Sequence, residues 1–156
     1  MKLSLLPPLF IGFGGLAYAD EIQCINQDIA SIQGLEPGLK AIGNLPANFQ
    51  SVESVSGEDD GGRYSGKKYK YEHFEVITVR GEIDSIRISS PHILWIEKIR
   101  IGMDRRQVEN TLGYARVYID DDTSQYLVCS DAGDVYAVLN YKLKQLESIE
   151  VLAERP

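Results

Sequence analysis

The 156-residue chain is short of the residue types that build metal and redox sites: it has two Cys and two His. Two histidines leave little room for a multi-His metal centre. Basic residues are outnumbered, 16 Lys+Arg against 23 Asp+Glu, for a formal net charge of -7. Nucleic-acid affinity comes mainly from Lys and Arg on phosphates, so that class is disfavoured. H-E-x-x-H, Walker and dinucleotide patterns are missing. Gly62-Arg63-Tyr64-Ser65-Gly66 is not a nucleophile elbow, because its Ser is one position late. There is no internal repeat and no low-complexity tract. What remains is 44% hydrophobic and 25% charged, an ordinary globular composition at a length that suits one domain with a real core.

The first nineteen residues, MKLSLLPPLFIGFGGLAYA, read as a secretory leader. Lys2 gives a short positive start, an apolar run follows, and Ala17-Tyr18-Ala19 forms an A-x-A cleavage box before Asp20. The run is shorter than the ~20 residues of a spanning helix, and Pro7-Pro8 and Gly14-Gly15 weaken a packed one. No Cys follows the box, so no lipid anchor is expected. Localisation is expected to be periplasmic or secreted. Losing Lys2 makes the remainder one unit more acidic. In an oxidising compartment Cys24 and Cys129 are expected to pair. Nothing beside Cys129 would activate it as a nucleophile.

The expected fold class is α+β: an antiparallel β-meander with one or two short helices packed on one face. Ile22, Ile25, Ile29 and Ile32 have helical spacing, ended by Gly34 and Pro37-Gly38. A second short helix over Leu39, Ile42, Leu45 and Phe49 is possible on spacing. Residues 56–66 (SGEDDGGRYSG) read as an exposed loop. Residues 69–80 and 83–89 read as a hairpin turning at Gly81-Glu82. Asp104 reads as an N-cap, Val108 and Leu112 as a core-facing pair, and Gly113 as a helix stop. Strands are expected at about 115–120, 124–130, 134–140 and 145–151, separated by the short breaks Asp121-Asp122-Thr123, Asp131-Ala132-Gly133 and Tyr141-Lys142.

Residues 99–151, and above all Ile101-Gly102-Met103-Asp104 through Gly113, resemble a small envelope-protein superfamily. It includes the SmpA/OmlA outer-membrane assembly lipoproteins, and the β-lactamase-inhibitor-protein modules share its helix-then-meander layout. The matching positions are Gly102, Met103, Val108, Leu112 and Gly113. The resemblance implies a non-catalytic, protein-binding domain of the cell envelope or outside it. The lipidated Cys of the assembly lipoproteins has no counterpart here.

Alternation along the meander assigns Val117, Ile119, Leu127, Cys129, Val135, Ala137 and Leu139 to a covered face. It assigns Arg116, Tyr118, Asp120, Tyr126, Tyr136, Val138 and Asn140 to an open one. Tyr118, Tyr126, Tyr136 and Arg116 are therefore candidate partner-binding residues, because Tyr buries large area at low entropic cost. The alternative is that cross-strand Tyr pairs merely stabilise a solvated sheet. Tyr69 and Tyr71 are further candidates, in the basic-aromatic run 63–71 that could meet a polyanion or glycan; the alternative is an edge strand guarded by lysines. The acidic clusters 58–60 and 120–122 match no calcium loop and read as solvated turns. His73 and His92 lack a nucleophile that sequence can place, and Trp95 reads as core.

These features point to an exported protein-binding domain rather than an enzyme, with no cofactor and no metal. The expected partner is a protein, in the sharpest version a cationic envelope-active hydrolase that this chain inhibits or gives immunity to. The alternatives are an envelope assembly factor and a small hydrolase using His73 with a carboxylate.

Overall fold

A computed structural model describes residues 23–154 other than 60, 97, 114, 115, 131 and 132, with Asp59 and Arg116 described by backbone only. The expected leader, residues 1–19, and Ile22 lie outside the described residues. In chain order the elements are β1 (Ile25–Asn26), α1 (Gln27–Ala30), β2 (Ser51–Asp59), β3 (Gly62–Lys70), β4 (Phe74–Val79) and β5 (Glu82–Ile88). They continue with α2 (Arg105–Leu112), β6 (Arg116–Ile119), β7 (Thr123–Cys129), β8 (Val135–Lys142) and β9 (Gln145–Ala153).

The expected α+β meander is corrected to a mostly β protein built on one nine-stranded mixed sheet. Strand order is β1-β7-β8-β9-β5-β4-β3-β2, and β6 also pairs with β7. Two four-stranded meanders, β2–β5 and β6–β9, join where β5 and β9 run antiparallel. Only the pairing of β1 with β7 is parallel. Three misread segments account for the change, the first being residues 69–80, which are not one strand but the end of β3 and all of β4, parted by a bend at 71–73. Residues 56–66 are not a loop: Asp59 pairs with Gly62 and the ladder runs unbroken to Ser51 opposite Lys70. The Ile-spaced N-terminal segment forms only one helical turn, because Ile25–Asn26 pair with Val128–Cys129 instead. Ile25 and Ile32 are buried, but Ile29 is 51% exposed. No helix forms over residues 39–49, which run as bends and turns.

The second helix forms as its sequence dictates. Asp104 accepts a hydrogen bond from the Arg106 N–H at 2.9 Å. Val108 is fully buried. Gly113 ends the helix at φ 65°, a conformation costly for any residue with a Cβ.

Direct pairing fixes which side chains share a face, because opposite residues in an antiparallel ladder point the same way. The core face carries Tyr126, Val128, Val135, Ala137, Leu139, Ile149, Val151, Ile86, Ile88 and Val76, all buried. Ile32, Leu35, Ile93, Trp95, Ile99 and Val108 cover it in one apolar cluster. Trp95 donates its indole N–H to the Ala30 carbonyl at 2.9 Å, tying two of the covering segments together. Among the described residues no helix is long and apolar enough to cross a membrane.

Candidate functional site

The opposite face of the same sheet holds none of the core-cluster residues. On its β6–β9 side two cross-strand rows stand side by side. One is Tyr118, Gln125, Val138 and Glu150; the other is Leu127, Tyr136 and Leu152. Leu127, Tyr136, Val138 and Leu152 are each half-buried and form a shallow apolar patch; Tyr118, at its edge, is 53% exposed. Alongside runs a polar ladder. Thr123 Oγ1 donates to Asn140 Oδ1 at 3.4 Å, Asn140 Nδ2 to Ser148 Oγ at 3.2 Å, and an Arg87 guanidinium nitrogen to the same Oγ at 3.5 Å. Across β3, β4, β5 and β9 the facing residues are Lys70, Glu75, Arg87 and Glu150, alternating in sign. The face thus combines an apolar patch with internally balanced charge, which suits a solvated sheet able to meet another protein.

The turn flanking this patch is held from the core side. Arg105 donates from Nε to Glu109 Oε1 at 2.9 Å and through its terminal nitrogens to the carbonyls of Asp121 and Asp120 and to Ser124 Oγ. Its guanidinium lies 4.8 Å above the Tyr141 ring. Burial drives the Tyr141 phenol well above its ordinary pKa. Asp120 Oδ1 accepts from the N–H groups of Asp122 and Thr123 at 2.9 and 2.6 Å, so its carboxylate shapes the turn itself.

Sequence reasoning placed some of these residues and misplaced others. Tyr118 and Tyr136 share the open face; Arg116 faces Tyr126 across the ladder by its backbone. Tyr126 does not share it: it is 0% exposed on the core face, because β7 sits one residue out of the expected phase. That slip sends Leu127 and Cys129 to the open side. Val117 and Ile119, expected in the core, are 45% and 46% exposed. Tyr69 lies on the core face, half-buried against Phe49 with ring centroids 5.4 Å apart. Tyr71 is buried, stacked on Phe74 at 4.4 Å, and donates to the Pro46 carbonyl at 3.0 Å. Both act in packing. From Gly66 to Lys70 the 63–71 run lies between β2 and β4 rather than at an edge, and Lys68 and Lys70 face Glu53 of β2 at 3.9 and 2.8 Å. Cys24 and Cys129 form the expected disulfide. It pins β1 to the edge of β7, where the reading above expected a helix on the core face.

Around His73 the structure gathers groups that sequence could not connect. Its Nδ1 is 3.3 Å from Ser90 Oγ, its Nε2 is 3.9 Å from Glu72 Oε1, and its ring centre is 5.0 Å from that of His92. The carboxylate stands beyond hydrogen-bond range of the imidazole, so the three do not form an oriented relay. Among the described residues no three His, Cys, Asp or Glu side chains gather to hold a metal ion.

No protein-family model matches the chain, and no curated protein matches it. Two solved structures share its fold. One is the uncharacterized protein YfeY from Escherichia coli, at 10% identity and a TM-score of 0.51, covering 85% of this chain and 100% of that one. The other is an extracellular protein containing an SCP domain from Bacillus anthracis str. Ames, at 10% identity and a TM-score of 0.50. That match covers 85% of this chain and 49% of the other, so this chain spans about half its length. At such identities the likeness is one of fold alone. Neither carries the name of the superfamily that residues 99–151 resemble.

Proposed function

We propose that the chain is an exported protein-binding domain that acts by occluding a partner protein, in its sharpest form an inhibitor or immunity protein for an envelope-active hydrolase. The observation that carries this reading is the uncovered sheet face with its patch of Tyr118, Leu127, Tyr136, Val138 and Leu152. Export is supported by the leader-like residues 1–19 and by the Cys24–Cys129 disulfide, a bond that persists in oxidising compartments. The acidic balance of the chain favours a cationic partner, whose encounter it would accelerate.

The test is capture from envelope and culture-medium extracts with the chain from Asp20 onward. Retention of one soluble hydrolase, weakened by salt, is the expected result. Tyr118→Ala with Tyr136→Ala should lower that capture at least ten-fold while thermal stability changes little. Tyr126→Ala should instead damage the fold, since that ring is wholly buried. Undiminished capture by the Tyr118/Tyr136 variant would remove this face from the reading. A second reading, an envelope assembly factor, is favoured by the capped α2 helix and the meander that follows it, the layout that the resemblance of residues 99–151 implies. It predicts co-purification with outer-membrane components in place of a soluble enzyme.

A further inference from the structure

The two outer edges of the sheet are built differently. On the β7 side the edge strands are β1, two residues long, and β6, four residues long with a register break between Arg116 and Tyr118. Short and bulged strands are what proteins use to stop further strands from adding. At the other side stands β2, nine residues long, paired with β3 in unbroken register from Ser51 to Asp59. Its sequence, SVESVSGED, has no Pro, Lys or Arg. Among the described residues no strand pairs with its outer edge. The β2–β3 ribbon also outruns the sheet. Pairing of β3 with β4 stops at Gly66 opposite Val79, so residues 56–59 and 62–65 pair only with each other. At Gly66 an added Cβ would run into the Thr78 carbonyl, so the ribbon leaves the sheet at a position only Gly fits.

We propose that β2 is a docking edge that accepts an extended, basic segment of another protein as an additional antiparallel strand. The main chain of β2 supplies the hydrogen bonds, and the charge of the strand selects the sign of the incoming segment. Glu53, Glu58 and Asp59 are acidic and β2 carries no base of its own; from the adjacent β3, Lys68 and Lys70 meet Glu53 and Arg63 meets Glu58. Glu53 accepts from Lys70 and Glu58 from Arg63, both carboxylates stay at least half-exposed, and each has acceptor sites to spare for a further cation. The same charge argues against a second copy of this chain, which would bring three more acids to the edge. This surface is separate from the Tyr118–Tyr136 patch at the far side of the sheet, so the inference stands whether or not that patch binds a partner.

The probe is a capped ten-residue peptide alternating Lys and Val, titrated into the isotope-labelled chain from Asp20 onward. Its control replaces every Lys with Glu. The expected result is saturable amide shifts and slowed amide exchange confined to residues 51–59, with at least ten-fold weaker binding of the control. Neighbouring residues of a strand point their N–H groups to opposite sides, so one of Ser54→Pro and Val55→Pro blocks the outer edge and spares the β2–β3 ladder. The variant that keeps native dispersion and thermal stability should lose the peptide. Three results would overturn the proposal: peptide shifts spread over the 120–122 turn without protection in β2, equal binding by the edge-blocked variant, or a concentration-dependent dimer that the same variant abolishes.

Discussion

The two meanders have the same strand count and opposite manners of support. The β6–β9 half is fastened three times over. A disulfide ties β7 to the N-terminal segment, α2 packs through Val108, and Arg105 ties that helix to the turn before β7. The β2–β3 end of the other half has backbone pairing, the Glu53–Lys70 contact and an exposed Glu58–Arg63 pair at 2.8 Å. Burial follows the same division: β7 and β8 alternate buried and half-buried residues, whereas β2 has no buried residue among those described. A strand that buries little apolar area gains little from the hydrophobic effect, so its order rests on its neighbour. The molecule is therefore a rigid half carrying a lightly held ribbon, and the lightly held end is where local opening should begin.

Removing the disulfide should have the largest effect. It spans 105 residues, and on the chain-entropy model closing a loop of that size is worth about 4–5 kcal/mol, with measured values often lower. Cys24→Ser with Cys129→Ser should lower the urea midpoint strongly, and amide exchange should rise first along β1 and the outer edge of β7. An unchanged midpoint would mean that α2 and the core face hold the rigid half without it. Arg105→Ala comes next, at about 1–3 kcal/mol. Its side chain is only 16% exposed, and its loss removes the charged donor to the Glu109 carboxylate, which still accepts from Ser124 Oγ, and the Arg105 donors to two turn carbonyls. Arg105→Lys should rescue little, since an ammonium cannot serve that fork of acceptors. Exchange should quicken in α2 and residues 120–124 and stay unchanged in β2–β3. Equal quickening in both places would break the division between the halves.

The same division governs what the sequence made legible. In the β6–β9 half the strands and the capped helix stand within a few residues of expectation, because local signals and burial agree there, while Tyr141-Lys142, expected as a break, lies inside β8. The Cys24–Cys129 bond needed only a count of two. The phase of β7 failed because Tyr126 with Val128 and Leu127 with Cys129 offer two equally apolar alternations, and only pairing with Ala137 and Val135 decides between them. The site inherited that error, gaining Tyr126 and losing Leu127. Residues 56–66 failed for the opposite reason. A ribbon outside the core has no apolar alternation to read, and Gly and acidic residues resemble a loop; the Asp60-Gly61 pair was the one hairpin signal available. His73, Ser90 and Glu72 come together only through the β3–β4 turn and the loop after β5, a proximity no spacing rule reports.

The smallest expected effect separates the halves most finely, and it concerns acid and salt. Hydrogen bonding and charge from Lys70 hold the Glu53 carboxyl below its ordinary pKa. A carboxylate with a depressed folded-state pKa contributes stability above its unfolded pKa and loses that contribution as pH falls through the folded value. The β2–β3 ribbon should therefore loosen in acid, below about pH 4.5. A carbon-detected titration of Glu53 should show its midpoint below 4.5, and Lys70→Met should move it back up. Because the pair is solvent-exposed, 1 M salt should do part of the same work, the screening length falling to about 3 Å. The Arg105–Glu109 contact, at 16% and 25% exposure, lies further from solvent and should resist it. A Glu53 midpoint indifferent to both Lys70→Met and salt would mean that backbone pairing alone orders the ribbon. Acid would then leave the ribbon as firmly paired as it is at neutral pH.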